Sequence, residues 1–101
     1  MAYQLDIAES RAVLSGDLTI YTVTDIRDQL RKTTSDDLEI DLAGVSEIDT
    51  AGLQLMLLLK SKPGGVRFVH HSAAVLRLVD LANLGQTLGD PMLIRRRAEE
   101  H

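Results

Sequence analysis

The feature of this sequence that most constrains its fold is a short strand that leads through a polar junction into a leucine-rich helix. The pattern spans residues 38–60, and its junction is Asp49-Thr50-Ala51-Gly52. The first turn of a helix has unpaired backbone N–H groups at the positive end of the helix dipole, so a hydroxyl there can carry a phosphate at little electrostatic cost. Thr50 is therefore the first candidate functional residue. Asp49 is predicted to cap the helix, which is worth roughly 1 kcal/mol.

Length and composition limit the classes of protein to consider. A chain of 101 residues has room for one domain with one core. The net charge of −4 argues against nucleic acid as the main partner, because binding phosphates needs a clustered basic surface. There are no cysteines, and no apolar run is long enough for membrane insertion. We therefore expect a cytoplasmic protein.

The hydropathy pattern predicts an α/β (α+β) fold with a mixed four- to five-stranded sheet and helices mainly on one face. Leu38, Ile40 and Leu42 alternate with acidic residues, which is typical of a strand with one face in the core. Thr22 and Asp25 look like a capping pair for the first helix. The other predicted elements are a hairpin over residues 3–15, a strand at 66–69, a helix from Ala73 to Leu84 with Ser72 as N-cap and Gly85 as its stop, and either an edge strand or a packed tail at Met92-Leu93-Ile94.

The second helix is apolar around nearly its whole circumference, since only Gln54 is polar between residues 53 and 59. One buried face cannot explain this pattern. We expect Leu53, Met56 and Leu57 to pack on the sheet. Leu55, Leu58 and Leu59 are expected to point at a neighbouring helix or at another protein.

The sequence offers little material for catalysis or metal binding. His70 and His71 are neighbours whose side chains point to opposite sides of an extended strand, which disfavours a shared metal. No spacing brings two of the carboxylates Asp41, Glu47 and Asp49 together around a substrate. We therefore expect a protein that is not an enzyme and has no cofactor or metal.

Three blocks in this order resemble the STAS domain of anti-sigma factor antagonists. They are residues 14–18, residues 40–42 together with 48–53, and residues 72–85. The resemblance covers most of the chain and implies a single STAS domain over residues 1–94. The charged stretch 95–101 is expected to be a solvated C-terminal tail.

In that family the hydroxyl residue after the aspartate is phosphorylated by a cognate kinase, and the phosphate releases the bound partner. The resemblance therefore implies that Thr50 is the phosphoacceptor and that the partner is an anti-sigma factor, a serine kinase or another signalling protein. It leaves a homodimer open. The surface implied to bind the partner consists of Asp49, Thr50, Ala51, Gly52, Gln54, Leu55 and Leu58.

Two positions depart from the antagonist pattern. Thr19 stands where antagonists commonly have an acidic residue, and Ala51 stands where they often have a second hydroxyl. The motifs look more like STAS proteins associated with bacterial chemotaxis, and like the STAS subunit that supports the ATPase of a phospholipid transporter. The alternative hypothesis is therefore a constitutive interaction subunit in which Thr50 helps to bind a partner without being modified.

Overall fold

A computed structural model describes residues 2–33, 37–61 and 65–83 of the chain. Its sheet has the strand order β1-β2-β3-β4, with β1 and β2 antiparallel and the pairs β2–β3 and β3–β4 parallel. The mixed α/β architecture predicted from the sequence is therefore confirmed. In chain order the elements are β1 (Tyr3–Ala8), β2 (Arg11–Leu18), α1 (Val23–Arg31), β3 (Leu38–Ile48), α2 (Thr50–Lys60), β4 (Val66–Val69) and α3 (Ala73–Leu81).

All three helices contribute to one core on one face of the sheet. Alternate residues of β3 (Leu38, Ile40 and Leu42) point into this core, as their spacing predicts. The opposite face of the sheet is open, since Val13, which lies on that face, is 40% exposed. The remaining buried apolar residues are Ala12, Leu14, Leu18, Ile26, Leu30, Val45, Leu53, Leu55, Met56, Leu59, Phe68, Val75 and Val79.

Helix α2 is buried on two sides because it packs against both the sheet and α1. Leu53 and Met56 are buried and Leu57 is partly buried against the core, as expected. Leu55 and Leu59 are also buried, in the same core cluster as the α1 residues. The sequence left a neighbouring helix or another protein open for these leucines; Leu55 and Leu59 are buried in the protein's own core, among residues of both α1 and the sheet.

The open face of the sheet carries a network of ion pairs across β2, β3 and β4. The Arg11 guanidinium contacts Glu39 and lies 2.7 Å from Asp41. Nδ1 of His70 is 2.9 Å from the same Asp41 oxygen, and Arg67 is 3.2 Å from Glu39. The acidic residues that alternate with the core leucines of β3 are thus partnered by basic residues of the adjacent strands and of the end of β4.

Strand β3 is longer than the alternation of Leu38, Ile40 and Leu42 indicates, since it continues to Ile48. Its parallel pairing with β2 passes through two register shifts and ends where Leu18 lies beside Ile48. The bulges break the two-residue period, so the later part of the strand lacks the alternating pattern.

Helix α3 begins as predicted, because Oγ of Ser72 accepts a hydrogen bond from the N–H of Val75 at 3.2 Å. It ends at Leu81 and not at Leu84, since Asn83 has a φ of 58° that an α-helix cannot continue through. The predictions for Gly85, for residues 92–94 and for the tail at 95–101 lie outside the described residues. No helix in the described ranges is long and apolar enough to cross a membrane.

Candidate functional site

The site is built where two parallel strands end side by side. Leu18 is the last residue of β2 and pairs with Ile48, the last residue of β3. The chain leaves β2 through a loop at residues 19–22 and leaves β3 through Asp49. The parallel direction therefore places the start of α1 and the start of α2 at the same edge of the sheet.

Asp49 fastens these two connections together. Its Oδ1 accepts a hydrogen bond from the N–H of Gly52 at 3.1 Å, which caps α2 as the sequence predicts. Its Oδ2 accepts a second hydrogen bond, at 3.0 Å, from the backbone N–H of Ile20 in the β2–α1 loop. One carboxylate thus fixes the start of α2 and the position of the neighbouring loop.

Gly52 lets the start of α2 approach the end of β2 closely. A Cβ atom at this position would lie 2.2 Å from the carbonyl oxygen of Leu18 and 2.8 Å from its Cγ. Both distances are far below van der Waals contact. Gly52 is buried, so its role in the junction is to permit close packing and not to touch a partner directly.

Thr50 is the first residue of α2, and its surface is exposed. Within the described residues its side chain has no hydrogen bond, whereas the cap is supplied by Asp49. The hydroxyl is therefore accessible to a modifying enzyme or to a partner's polar group. A phosphate on it would sit next to the carboxylate of Asp49.

A groove of about 590 Å³ runs between α1 and α2, and Ala51, the residue after Thr50, lines it. We call it the α1–α2 groove. Its wall contains one cation, Arg27, whose Nε is buried and lacks a hydrogen-bond acceptor among the described residues. Nη2 of the guanidinium is 3.6 Å from Oδ1 of Asp28. The groove is lined by Ile20, Val23, Thr24, Arg27, Ala51, Gln54, Leu55, Leu57 and Leu58.

The structure separates the seven residues predicted to bind a partner into accessible and buried ones. Leu58 is 51% exposed and stands on the groove wall. Leu55 also lines the groove, but it is only 7% exposed and belongs to the core, so its assignment to the docking surface needs correction: most of its side chain is buried within the protein. Thr50 and Gln54 are exposed, Asp49 and Ala51 are half-buried, and Gly52 is buried.

Sequence reasoning missed two exposed apolar residues in the β2–α1 loop. Ile20 is 61% exposed and Tyr21 is 77% exposed. Ile20 lines the groove and is fixed by Asp49, so it belongs to the same surface as Thr50. The sequence does contain a signal for this surface, because Ile20 and Tyr21 are adjacent large apolar residues in a loop. Exposing such a pair to water is unfavourable unless a partner covers it.

Thr22 precedes α1 as predicted, but its side chain does not cap the helix. Its hydroxyl donates to the carbonyl of Asp17 at 2.8 Å and accepts from the N–H of Thr19 at 3.0 Å. The proposed Thr22–Asp25 capping pair was therefore wrong. Thr22 is 4% exposed and stabilises the loop that carries Ile20, because its hydroxyl points back into the turn.

The described residues include no group of three histidine, aspartate or glutamate side chains placed to hold a metal ion. What the site presents is an exposed hydroxyl beside an apolar groove with one cation. Such a surface is suited to bind another protein.

Comparison with known proteins agrees with this geometry. The family model described as "Mlab, STAS domain" matches residues 1–94. The comparison with curated proteins returned no match. With a mixed sheet, helices on one face and an Asp-Thr-x-Gly junction before α2, the chain belongs to the STAS domain family and has the fold of the anti-sigma factor antagonists.

Proposed function

We propose that this protein is a non-enzymatic, cytoplasmic partner-switching module controlled by phosphorylation of Thr50. Its α1–α2 groove docks an anti-sigma factor, a serine kinase or another signalling protein. The observation that carries the proposal is the position of Thr50, which is exposed at the first turn of α2 and directly precedes Ala51 on the groove wall.

The surface around Thr50 has the composition of a docking site. Ile20, Tyr21 and Leu58 expose large apolar side chains, and burying them against a partner would be favourable. The side chain of Arg27 is 39% exposed, so its terminal N–H groups can donate hydrogen bonds to a partner's carbonyl or carboxylate. On such a surface the apolar side chains contribute binding free energy, and the single strong hydrogen-bond donor contributes specificity.

Phosphorylation would oppose docking through charge and bulk. A phosphate adds roughly −1.5 to −2 charges at neutral pH. At Thr50 this charge would stand beside the carboxylate of Asp49, the preceding residue. A partner that packs over the start of α2 would then have to desolvate a dianion, so we expect the complex to dissociate.

The alternative is a constitutive interaction subunit of a chemotaxis signalling complex or of a phospholipid-transport ATPase. The accessible hydroxyl of Thr50 supports this reading too, because it is placed to donate a hydrogen bond to a partner. In this case the groove would be covered permanently, and Thr50 would act as an interface group.

Two substitutions at Thr50 separate these hypotheses. The protein and its variants are used to capture partners from a lysate of the source cells, and each captured complex is then measured with purified components. If Thr50 is a switch, Thr50→Glu weakens the complex by about tenfold or more while Thr50→Ala leaves it intact. If Thr50 is a constitutive contact, Thr50→Ala also weakens the complex.

A matched control and a mass measurement complete the test. Arg31→Gln also lowers the net charge by one, at the exposed last residue of α1 and at the end of that helix away from Thr50, and should leave binding unchanged. Intact-mass analysis of the protein recovered from cells reports whether Thr50 carries a phosphate. Unchanged affinity of Thr50→Glu would contradict both hypotheses, since each places Thr50 within the interface.

A further inference from the structure

We infer that β1 is a self-association edge, at which two copies of the chain pair their β1 strands antiparallel across a two-fold axis. Within the described residues β1 is hydrogen-bonded to β2 on one side only. The occupant we assign to its free side is a second copy of this chain, and the inference is independent of the proposed function.

The hydrogen bonds at the start of β1 show which backbone groups face outward. The carbonyl of Ala2 accepts from the N–H of Asp17 at 2.9 Å, and the N–H of Ala2 donates to the Asp17 carboxylate at 3.0 Å. Ala2 therefore faces β2. Because this direction alternates along an antiparallel strand, the N–H and C=O groups of Tyr3, Leu5 and Ile7 point away from β2.

Apart from the charge of Asp6, the free edge lacks the features that usually prevent strand pairing. The sequence of β1, YQLDIA, has no proline, glycine or lysine, and its pairing with β2 runs from Tyr3 to Ala8 without a bulge. Its apolar side chains are incompletely covered by the helices, since Ile7 is 37% exposed and Leu5 is half-buried. The opposite edge strand β4 is only four residues long and carries the exposed Arg67.

One register of a symmetric pair uses every outward-facing group. With Leu5 opposite Leu5 of the second copy, Tyr3 lies opposite Ile7 and Ile7 opposite Tyr3, so all outward N–H and C=O groups can pair. In the same register Gln4 lies opposite Asp6 at the non-hydrogen-bonded positions, where side chains are closest. An amide facing a carboxylate is complementary, and Gln4 already donates to Asp6 within one chain at 3.3 Å.

The two neighbouring registers place less complementary residues opposite each other. Shifting the second copy by two residues in one direction places Asp6 opposite Asp6, which sets like charges against each other. Shifting it in the other direction pairs Gln4 with Gln4 and sets Ile7 opposite residue 1, which precedes β1. A two-fold interface requires this kind of self-complementarity, which favours a second copy over an unrelated strand.

A cavity of about 450 Å³ lies beside the edge, next to Ile7. It is lined by Ile7, Glu9, Gln29, Lys32 and Thr33. In the register described, Tyr3 of the second copy lies opposite Ile7, at the mouth of this cavity. The interface would thus bury apolar surface in addition to forming backbone hydrogen bonds.

Light scattering after gel filtration tests the association directly. As the concentration rises from about 10 µM to about 1 mM, the range in which small interfaces associate, we expect the mass to rise from 11.1 kDa toward twice that value. Ile7→Pro removes an outward N–H and should keep the protein monomeric with an unchanged circular dichroism spectrum. Ile7→Val keeps the N–H and is the matched control, which should still associate. A mass of 11.1 kDa throughout the range for the wild type would overturn the inference.

Cysteine cross-linking tests the register, because the chain has no cysteine of its own. Non-hydrogen-bonded pairs have Cα atoms about 4.5 Å apart, which suits a disulfide. A mixture of Gln4→Cys and Asp6→Cys should therefore cross-link at least about tenfold faster than a mixture of Asp6→Cys and Arg77→Cys, whose exposed thiols meet only by collision. Rapid self-linking of Asp6→Cys alone, or no excess in the first mixture, would overturn the proposed register.

Discussion

The carboxylate of Asp49 is hydrogen-bonded to the backbone N–H of Ile20 at 3.0 Å, although 29 positions separate these residues in the chain. The same side chain caps α2 through Gly52. One side chain therefore holds together the start of α2, the loop before α1 and the wall of the α1–α2 groove. A change at Asp49 should affect both the stability of the fold and the shape of the groove.

Replacing Asp49 tests this connection. Asp49→Ala removes both acceptors and should lower the free energy of unfolding by about 1–2 kcal/mol, measured by urea denaturation. Asp49→Asn keeps one good acceptor and should cost less. The control is Asp25→Ala in the first turn of α1, an exposed acid that makes no cap bond, which should cost less than about 1 kcal/mol. Equal losses for Asp49→Ala and Asp25→Ala would contradict the role assigned to Asp49.

Gly52→Ala should be more damaging than its size suggests. The added methyl group would lie 2.2 Å from the carbonyl oxygen of Leu18, a backbone atom that cannot rotate away. We expect the free energy of unfolding to fall by about 1–3 kcal/mol or more, because α2 must shift away from β2. Gln54→Ala, an exposed substitution in the same helix, should change it by less than about 0.5 kcal/mol. A stable Gly52→Ala protein would show that the junction tolerates movement of α2.

Leu55 and Leu58 form a matched pair on α2, and we expect substitution to lower the stability of the fold at Leu55 but not at Leu58. Leu55 is 7% exposed, so Leu55→Ala should cost about 2–5 kcal/mol in the free energy of unfolding. Leu58 is 51% exposed, so Leu58→Ala should cost less than about 1 kcal/mol and should instead weaken partner binding. Thermal or urea unfolding separates the two. Similar losses of stability at both positions would contradict the packing of α2 described above.

Local patterns in the sequence identified most of the fold, and long-range contacts account for the rest. The alternation in the first part of β3 and the cap residues Asp49 and Ser72 depend on near neighbours, so they could be predicted. The burial of Leu55 depends on α1 packing beside α2, which no local period reveals. Likewise the hydroxyl of Thr22 turns toward Asp17 and Thr19 because of the loop's tertiary path, which composition does not indicate.

For the candidate site, too, only part of the surface was predicted from the sequence. The motif around Thr50 located the junction, whereas the exposure of Ile20 and Tyr21 follows from the way β2 ends beside β3. A sequence motif marks the residues on one strand-to-helix connection. The second connection joins the same surface only through the parallel pairing of the two strands.

Asp41 provides a prediction for the dependence of stability on pH. Its burial acts to raise the pKa of the carboxyl group, but the N–H of Ala43, His70 and the Arg11 guanidinium together lower it below the ordinary value of 3.8. A carboxyl group whose pKa is lower in the folded state stabilises the fold above the unfolded-state pKa. That contribution is lost as the pH falls through the lowered value.

Unfolding of the wild type and of Asp41→Asn should therefore be compared across the acidic range. Above about pH 5 the wild type should be more stable by a constant amount, because the amide of the variant carries no charge to pair with Arg11. The difference should shrink as the pH falls below 3.8, where the carboxylate of the unfolded chain is already protonated, and it should level off below the lowered pKa. His70→Gln removes one of the groups that lower the pKa and should shift this loss of stability toward higher pH. A difference between wild type and Asp41→Asn that stays constant down to about pH 2 would show that the ion pairs on the open face do not stabilise the fold.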